Sequence, residues 1–282
     1  MILEVVETVS VASGRDNEDR QGAAHELAWV IDGATDVLPE PLTRAPSDAA
    51  WLARHMSEVL HQLAADPPHA LADLPQIVAE RLAPRFAADA HRPPTGPGEH
   101  PSAAAIVVRM TGNGALEYVT LGDCVMLVET AGALTRIGID EETAGDRWVA
   151  DALRSSTGTG EPLTRHDLLP RLRAQRTMMN APGGYAIFSI TAPPRTMIRR
   201  GELPLAEGSR ILLATDGLTR LIDVFRRYDT EAFWNAAWSR GLADLASELR
   251  ALETADAACT RYPRAKISDD ATGMLIRVTG SA

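Results

Sequence analysis

Acidic residues stand at the ends of several apolar segments in this sequence. Asp32 follows "LAWVI" directly, Asp216 follows "ILLAT", and the pair Asp269 and Asp270 precedes "ATGMLIRV". One aspartate in such a place usually belongs to a turn, because Asp and Gly both favour turns. Several carboxylates at one sheet edge, however, repel one another unless cations lie between them. Oxygen-only ligand sets suit Mg²⁺ or Mn²⁺, so the pattern indicates a divalent metal site.

Further acids and a glycine extend this pattern. Glu18 and Asp19 lie in "GRDNEDR", and Asp123 lies in "VTLGDC". Gly33 follows Asp32 and has no side chain, so a cation can approach its backbone carbonyl closely. Two ions about 4 Å apart would lower the pKa of a bridging water and direct it at a phosphorus atom. The residue types therefore indicate metal-assisted phosphate chemistry.

The motifs of other hydrolases are missing or incomplete. The seven histidines form no H-x-H or H-E-x-x-H pattern, which argues against a histidine-rich zinc site. The sequence has no G-x-S-x-G and no G-x-x-x-x-G-K-[ST]. "CTRYPR" is one residue short of the C-x5-R loop of cysteine phosphatases. An aspartyl-phosphate hydrolase would need a parallel sheet, Asp32 as the nucleophile and a second aspartate where Ala34 stands.

The composition narrows the partners and the compartment. The chain has 282 residues, 45% of them hydrophobic, with a net charge of -10 and a pI of about 5.2. This balance argues against binding to nucleic acid or to an anionic membrane. The two cysteines, Cys124 and Cys259, suggest no disulfide framework. The start "MILEVVETVSVASG" lacks the basic start and long apolar core of a signal peptide, so we expect none. The sequence has no apolar run near the roughly 20 residues of a membrane span, and we expect a cytoplasmic protein.

The elements that must position the acids can be read from hydrophobic periodicity. Strand patterns come in clusters, two of them joined by the hairpin turn "TGNG", and helical patterns come in consecutive pairs. Ser47 is the predicted N-cap of the first helix. This order favours antiparallel sheets covered by helix pairs over a parallel sheet. The predicted strands are at about 3–13, 27–31, 102–110, 116–122, 124–130, 133–137, 185–191, 209–215 and 272–280, and the main helices at about 47–65, 69–90, 229–240 and 242–259.

Five short motifs, in this order along the chain, resemble the metal-dependent serine/threonine phosphatases of type 2C, also called the PPM family. They are "RDNED", the "DG" after a strand, "GDC", "TDGL" and "DDAT". The resemblance covers nearly the whole chain and implies a single phosphatase-like domain over residues 1–282. Its fold would be α+β, with a central antiparallel β-sandwich flanked by pairs of α-helices in four αββα layers. Its activity would be Mn²⁺- or Mg²⁺-dependent hydrolysis of a phosphomonoester by metal-activated water.

The resemblance also implies roles for single residues of the first ion's site. Asp32 would bridge two ions, and the backbone carbonyl of Gly33 would bind one of them. Asp216 and Asp269 would complete the shell of the other ion. Asp32, Asp216 and Asp269 are therefore the predicted catalytic core.

The remaining site residues follow from the same resemblance. Glu18 and Asp19 would bind the second ion, directly and through water. Asp123 would belong to a more weakly held third metal site. Arg15 would bind the substrate phosphate, and Arg20 is a competitor because Arg15 is three residues before Glu18 where the family has four.

The chain departs from the family beside Asp32 and in an insert at about 140–185, where the family has its flap. "DGATD" lacks two glycines and the histidine that many members place near the leaving group, which leaves the general acid unassigned. In the insert, Arg171, Arg173 and Arg176 form either a solvated basic helix face or a site for an anionic substrate. We expect Arg176 to lie near the cleft and the other two to face solvent.

These observations favour a phosphatase acting on protein phosphoserine or phosphothreonine. A small phosphorylated metabolite is the alternative substrate, since the altered loop and insert could enclose a pocket. A catalytically weak pseudophosphatase that acts as a binding or regulatory module is the alternative of a different class.

Overall fold

Two antiparallel β-sheets lie face to face in the structure, a computed structural model that describes residues 1–68, 70–130, 132–138 and 165–280. The strands are β1 (Ile2–Val11), β2 (Arg20–Ala24), β3 (Leu27–Gly33), β4 (Ser102–Met110), β5 (Ala115–Leu121), β6 (Val125–Thr130), β7 (Ala133–Ile137), β8 (Phe188–Ser189), β9 (Arg199–Pro204), β10 (Arg210–Ala214) and β11 (Ala271–Thr279). The first sheet has the order β1-β11-β10-β6-β7. The second has the order β2-β3-β4-β5-β9, with β8 paired to β4.

Helices cover the outer face of each sheet. Helices α1 and α2 pack on the second sheet, and α4, α5 and α6 pack on the first. The predicted cap is present, because the Ser47 side chain accepts a hydrogen bond from the Ala50 N–H at 3.0 Å. The helices are α1 (Asp48–Ala65), α2 (Leu74–Asp89), α3 (Arg165–Arg176), α4 (Asp216–Asp223), α5 (Thr230–Arg240) and α6 (Leu242–Ala255). The predicted α+β fold of four αββα layers is thus confirmed.

Apolar residues on both faces of the inner strands hold the layers together. In β3, Trp29 and Ile31 face the helices, whereas Ala28 and Val30 lie between the two sheets. All four side chains are fully buried. Because successive side chains of a strand point to opposite faces, burial on both faces produces the unbroken apolar run "LAWVI".

The first strand of the chain pairs with the last. The β1–β11 ladder begins with Ile2 opposite Thr279 and contains an irregularity between Val5 and Glu7. β11 also pairs with β10, so it is an inner strand of the first sheet. The edge strand β1 therefore depends on a partner at the other end of the sequence.

Some strands differ from the sequence prediction. β2 and β9 were not predicted, because "RQGAA" and "RRGELP" lack the apolar alternation of a half-buried strand, and β9 is an edge strand whose residues are mostly exposed or half-buried. The strand predicted over 185–191 is limited to the two residues of β8. Short edge strands take their hydrogen bonds from neighbours rather than from a pattern of their own.

Part of the predicted insert at about 140–185 is outside the described residues, because residues 139–164 are not among them. Its described part contains α3. In the described ranges, no helix combines the length and apolar composition that a membrane crossing requires.

The core between the sheets provides a test of the fold. Ile211 is fully buried there, so Ile211→Ala should lower the free energy of unfolding by about 2–5 kcal/mol. Ile267→Ala is the matched control, because Ile267 is 49% exposed and its truncation should change stability by less than about 0.5 kcal/mol. Urea unfolding followed by circular dichroism measures both. Equal losses in the two variants would contradict this assignment of the core.

Candidate metal centre

The acids identified in the sequence converge at one edge of the sandwich. Asp32 lies near the end of β3, Asp216 begins α4 directly after β10, and Asp269 precedes β11. Ala214 of β10 is paired with Gly273 of β11, so the end of one strand meets the start of the next. Asp32 is close enough to the other acids for their charges to raise its pKa. The fold thus gathers carboxylates that are far apart in the sequence.

Asp19 is the most deeply buried of these acids, with 1% of its surface exposed. Its Oδ2 accepts a hydrogen bond from Thr215 Oγ1 at 2.9 Å. The Thr215 Oγ1 in turn accepts from the Thr272 N–H at 3.0 Å, so two neighbouring strands fix this hydroxyl. Burial raises the pKa of Asp19 to about 8, although the hydrogen bonds from Thr215 and Thr272 act in the opposite direction.

Asp32 and Asp216 lie close enough for the charge of Asp216 to act on Asp32, and the pKa of each is raised. Burial is the largest cause of the raised pKa of each. The charges of Asp19 and Asp216 add to the effect at Asp32, and that of Asp269 adds to it at Asp216. The arrangement favours either bound protons or a bound cation.

Asp270 ties the first acidic loop to the last strand. Its Oδ1 accepts from the backbone N–H of Ser13 at 2.7 Å and from the Ser13 hydroxyl at 2.8 Å. Its Oδ2 accepts from the Glu18 N–H at 2.6 Å. The Glu18 side chain accepts from Thr35 Oγ1 at 2.8 Å. Asp270 therefore positions Glu18 and Asp19, while its neighbour Asp269 has different partners.

Two glycines allow backbones to meet at this edge. A Cβ on Gly217 would lie 1.8 Å from the Asp270 carbonyl oxygen, and one on Gly33 would lie 2.7 Å from the Glu18 carbonyl oxygen. The Gly33 N–H also donates to the Glu18 carbonyl at 3.2 Å. Glycine after Asp32 and after Asp216 thus has a packing reason, in addition to the predicted access of a cation to the Gly33 carbonyl.

Asp269 lies between two basic side chains that the sequence reasoning missed. Arg220 Nη2 donates to its Oδ2 at 2.7 Å, and Lys266 Nζ donates to its Oδ1 at 2.5 Å. Burial lowers the pKa of Lys266, but the carboxylates of Asp269, Asp216 and Asp32 together outweigh that effect and raise it. Arg220 follows Asp216 by four residues, which places both on one helix face. That spacing was the available signal for Arg220.

The two candidate phosphate-binding arginines differ in their surroundings. Arg15 is exposed and has no hydrogen bond or ion pair with any residue that the structure describes. Arg20 Nη1 donates to the carbonyls of Asn17 and Asp19 at 2.7 and 2.5 Å. Arg20 therefore braces its own loop, whereas Arg15 is available for a ligand.

The arginines of α3 support the loop that follows Asp32. Arg176 is buried and its Nη2 donates to the carbonyls of Ala34 and Thr35 at 2.8 and 3.1 Å. Arg173 is exposed, and its Nε donates to the Val37 carbonyl at 2.9 Å. Arg176 thus lies beside the loop that follows Asp32, and its guanidinium binds backbone carbonyls of that loop, whereas its place near a substrate cleft stays a prediction. Arg171 is exposed.

Asp123 lies in the turn between β5 and β6 and is half-buried. Its charge helps to raise the pKa of Asp32, after burial and the nearer acids. The adjacent Cys124 is fully buried, and burial raises the pKa of its thiol. Cys124 therefore stays protonated and is a packing residue.

Comparisons with solved structures identify the fold. The Mycobacterium tuberculosis serine/threonine phosphatase PstP/Ppp aligns over 99% of this chain and 100% of its own, with 16% identity and a TM-score of 0.60. The PstP catalytic domain in complex with two manganese ions aligns over 99% of both chains, with 17% identity and a TM-score of 0.57. The PPM Ser-Thr phosphatase MsPP from Mycobacterium smegmatis, in complex with cacodylate, covers 98% of this chain and 99% of its own at 16% identity, with a TM-score of 0.53.

This chain has the type 2C phosphatase fold. The resemblance drawn from the five motifs is confirmed at the level of the fold. The scan against family models and the search of the curated proteins each found no match.

The donor set of the type 2C fold in this chain fits a divalent cation only in part. Asp19, Asp32 and Asp216 offer carboxylate oxygens, and their pKa values are raised, so a nearby cation would favour their ionised forms. Asp269 instead has both oxygens bonded to basic side chains. Across the part of the chain that the structure describes, no three His, Cys, Asp or Glu side chains are already arranged to hold one metal ion.

Gly217→Ala tests the close approach of α4 to Asp270. The new Cβ would lie 1.8 Å from a backbone oxygen, so the variant should lose about 3 kcal/mol of unfolding free energy. Gly112→Ala is the control, since a Cβ at Gly112 would meet nothing within 4 Å. Urea unfolding measures both. Unchanged stability of Gly217→Ala would show that the helix does not approach Asp270 in this way.

The raised pKa of Asp19 predicts how the stability of the metal-free protein depends on pH. Folded Asp19 keeps its proton up to about pH 8, whereas the unfolded group releases it near its ordinary value of 3.8. The stability contributed by Asp19 is therefore complete below about pH 4 and is lost as the pH rises towards 8. In EDTA, the melting temperature should fall between pH 5 and 8. A loss of about 2 kcal/mol corresponds to roughly 4–8 °C.

Scanning calorimetry of wild type and Asp19→Asn checks this prediction. The variant should have a flatter pH profile, and Mn²⁺ should restore the wild type at pH 8. A melting temperature that rises with pH in EDTA would contradict it.

Proposed function

We propose that this chain is a divalent-metal-dependent phosphomonoester hydrolase acting on phosphoserine or phosphothreonine of proteins. The observation that supports it is the cluster of Asp19, Asp32 and Asp216, whose carboxyl groups share one sheet edge and have raised pKa values. Structural carboxylates are normally paired with a base or with several donors, because an unpaired buried charge is costly. A cluster without sufficient compensation is typical of a functional site. The whole of residues 1–282 is proposed to form this one phosphatase-like domain.

Asp19, Asp32 and Asp216 would hold the cation, Mn²⁺ or Mg²⁺. When bound, it would supply positive charge and acidify a water molecule beside the phosphate. Glu18, on the loop before β2, and the carbonyl of Gly33, at the end of β3, are proposed as further ligands. Asp269 is the proposed fourth acid of the core only if its ion pairs open.

Asp123 is proposed to belong to a separate, weaker metal position. It lies on the β5–β6 turn, and its charge is felt at Asp32. It is therefore near the core acids.

The residues of the loop before β2 would orient the substrate. Arg15 is exposed near Glu18 and Asp19, so its guanidinium can bind a phosphate in a two-pronged way. Arg20 is bonded to its own loop and would keep the two acids in place. The loop as a whole is held by Asp270. These contacts would fix the phosphate relative to the acids.

The contacts of α3 favour a protein substrate over a small metabolite. The guanidinium groups of Arg173 and Arg176 bind the carbonyls of loop residues Ala34, Thr35 and Val37. They therefore shape the loop instead of presenting a grip for a small anion. A cytoplasmic location and the absence of nucleic-acid or membrane partners are part of the same proposal, supported by the acidic net charge of -10 and the free cysteines.

One observation favours the pseudophosphatase as a second candidate. Asp269 is neutralised by Arg220 and Lys266, so one acid of the expected catalytic core is engaged. A chain without turnover would then bind phosphorylated partners through the same edge. Activity measurements separate the two candidates.

Asp32→Asn and Asp216→Asn test the proposed function. Each removes a charge with little change of shape, so turnover of p-nitrophenyl phosphate and of phosphoserine and phosphothreonine peptides with Mn²⁺ should fall at least 100-fold, about 2.7 kcal/mol in activation free energy. Asp223→Asn is the matched control, because Asp223 lies at the far end of α4, 46% exposed and paired with Arg136. It should keep wild-type rates.

The substrate class needs a parallel measurement. Sugar and nucleoside phosphates assayed beside the peptides should be poorer substrates. Wild-type activity in Asp216→Asn would refute the assigned site, and no Mn²⁺-dependent turnover on any substrate would favour the pseudophosphatase.

A further inference from the structure

Lys266 is the only lysine among the 28 lysine and arginine residues of the sequence. Its ammonium group lies within the acid cluster, where it donates to Asp269 Oδ1 at 2.5 Å and to Thr35 Oγ1 at 3.1 Å. Thr35 in turn donates to Glu18 at 2.8 Å. All other Lys or Arg positions of the sequence are arginine. Lys266 differs from them because its ammonium group is a compact point charge and not a planar guanidinium.

A second basic side chain, Arg220, binds the other carboxylate oxygen of Asp269. The guanidinium of Arg220 is buried and donates to Asp269 Oδ2 at 2.7 Å. It also pairs with Glu253, 3.4 Å away, whose side chain is 1% exposed. Glu253 is further paired with Arg250, which donates to the Asp269 carbonyl at 2.7 Å. Arg220 is thus fixed beside Asp269 by a network of ion pairs that includes Glu253 and Arg250.

The loop that carries Lys266 is also fixed. Arg264 is buried, and its Nη1 donates to Asp256 Oδ2 at 2.6 Å. Its Nε donates to the carbonyl of Ile267, the residue next to Lys266, at 2.9 Å. Asp256 accepts three further backbone N–H bonds from this loop. The ammonium group therefore has a defined position although the side chain is 36% exposed.

We propose that Lys266 and Arg220 replace one of the two metal ions expected at this site, so that the protein binds a single divalent cation at Asp19, Asp32 and Asp216. The proposal rests on the metal site of the proposed function. It differs from the expectation of a binuclear core in one respect, because Asp269 would stay paired with Lys266 and Arg220 and would not bind the ion.

The chemistry of Asp269 supports this division. A carboxylate gives a metal ion its lone pairs, and here each oxygen already accepts a charged hydrogen bond. A second divalent ion would have to displace Lys266 and approach the permanent charge of Arg220. The other three acids have no direct ion pair with a basic side chain among the described residues, so they remain the attractive position for a cation.

The exchange of an ion for a lysine also has a use in catalysis. The ammonium has three N–H groups, of which Asp269 and Thr35 take two. The third can donate to an oxygen of a bound phosphate. Lys266 would then supply, beside the phosphate, the positive charge that a second metal ion would otherwise provide.

Counting the bound ions tests the proposal. Native mass spectrometry and calorimetric titration with Mn²⁺ should give one ion per wild-type chain. The double variant Lys266→Met/Arg220→Met should bind two, with the second ion at least tenfold tighter than any second ion on the wild type. Arg227→Met/Arg261→Met removes the same charge from two exposed arginines and should still bind one.

The wild-type count decides even if the double variant fails to fold, since two tight ions, or none, on the wild type would overturn the proposal. A folded double variant that gains no ion would also overturn it. One ion together with no phosphatase turnover would leave this inference standing while the proposed function fails. Turnover by a wild-type protein that binds two ions would support the proposed function and overturn this inference.

Discussion

Mutual repulsion of carboxylates at one sheet edge is the constraint on which the rest of this structure depends. Asp19, Asp32 and Asp216 come from three separate segments of the chain. The ionised form of each would be more stable in water or beside a positive charge. Neighbouring contacts must therefore hold them together against their own charge. The hydrogen bond from Thr215 does so at Asp19, and bound protons or a bound cation would do so at Asp32 and Asp216. The layers of the sandwich supply the rigidity that these contacts need.

The fold and the acids could be predicted from the sequence because their signals are local. An apolar run that ends in an aspartate and a glycine identifies Asp32 and Asp216 without knowledge of the tertiary structure. Strand and helix clustering likewise indicated antiparallel sheets covered by helix pairs, and the family resemblance implied the αββα layers. The edge strand β9 was missed because its order comes from pairing with β5, which its own residues do not encode.

The partners of the acids could not be predicted in the same way. Lys266 is three residues before Asp269, yet only the folded loop brings its ammonium to Thr35 as well. Arg176 was expected near the cleft as a group that could bind an anion, but its contacts with the Ala34 and Thr35 carbonyls depend on where α3 packs. Contacts between distant segments decide whether a charged side chain binds a ligand or supports a loop. Hydrophobic periodicity in the sequence does not encode these contacts.

The pairing of β1 with β11 has a consequence for how the chain acquires its structure. β1 comes first and β11 comes after every other strand, yet they form one ladder in which Ile2 faces Thr279. During synthesis, β1 has to wait unpaired until β11 leaves the ribosome, and the gap in the first sheet beside β10 stays open for the same time. Such long-range closure slows folding and exposes a strand edge to other chains. The nascent chain is therefore open to association through strand edges until the last strand closes the sheet.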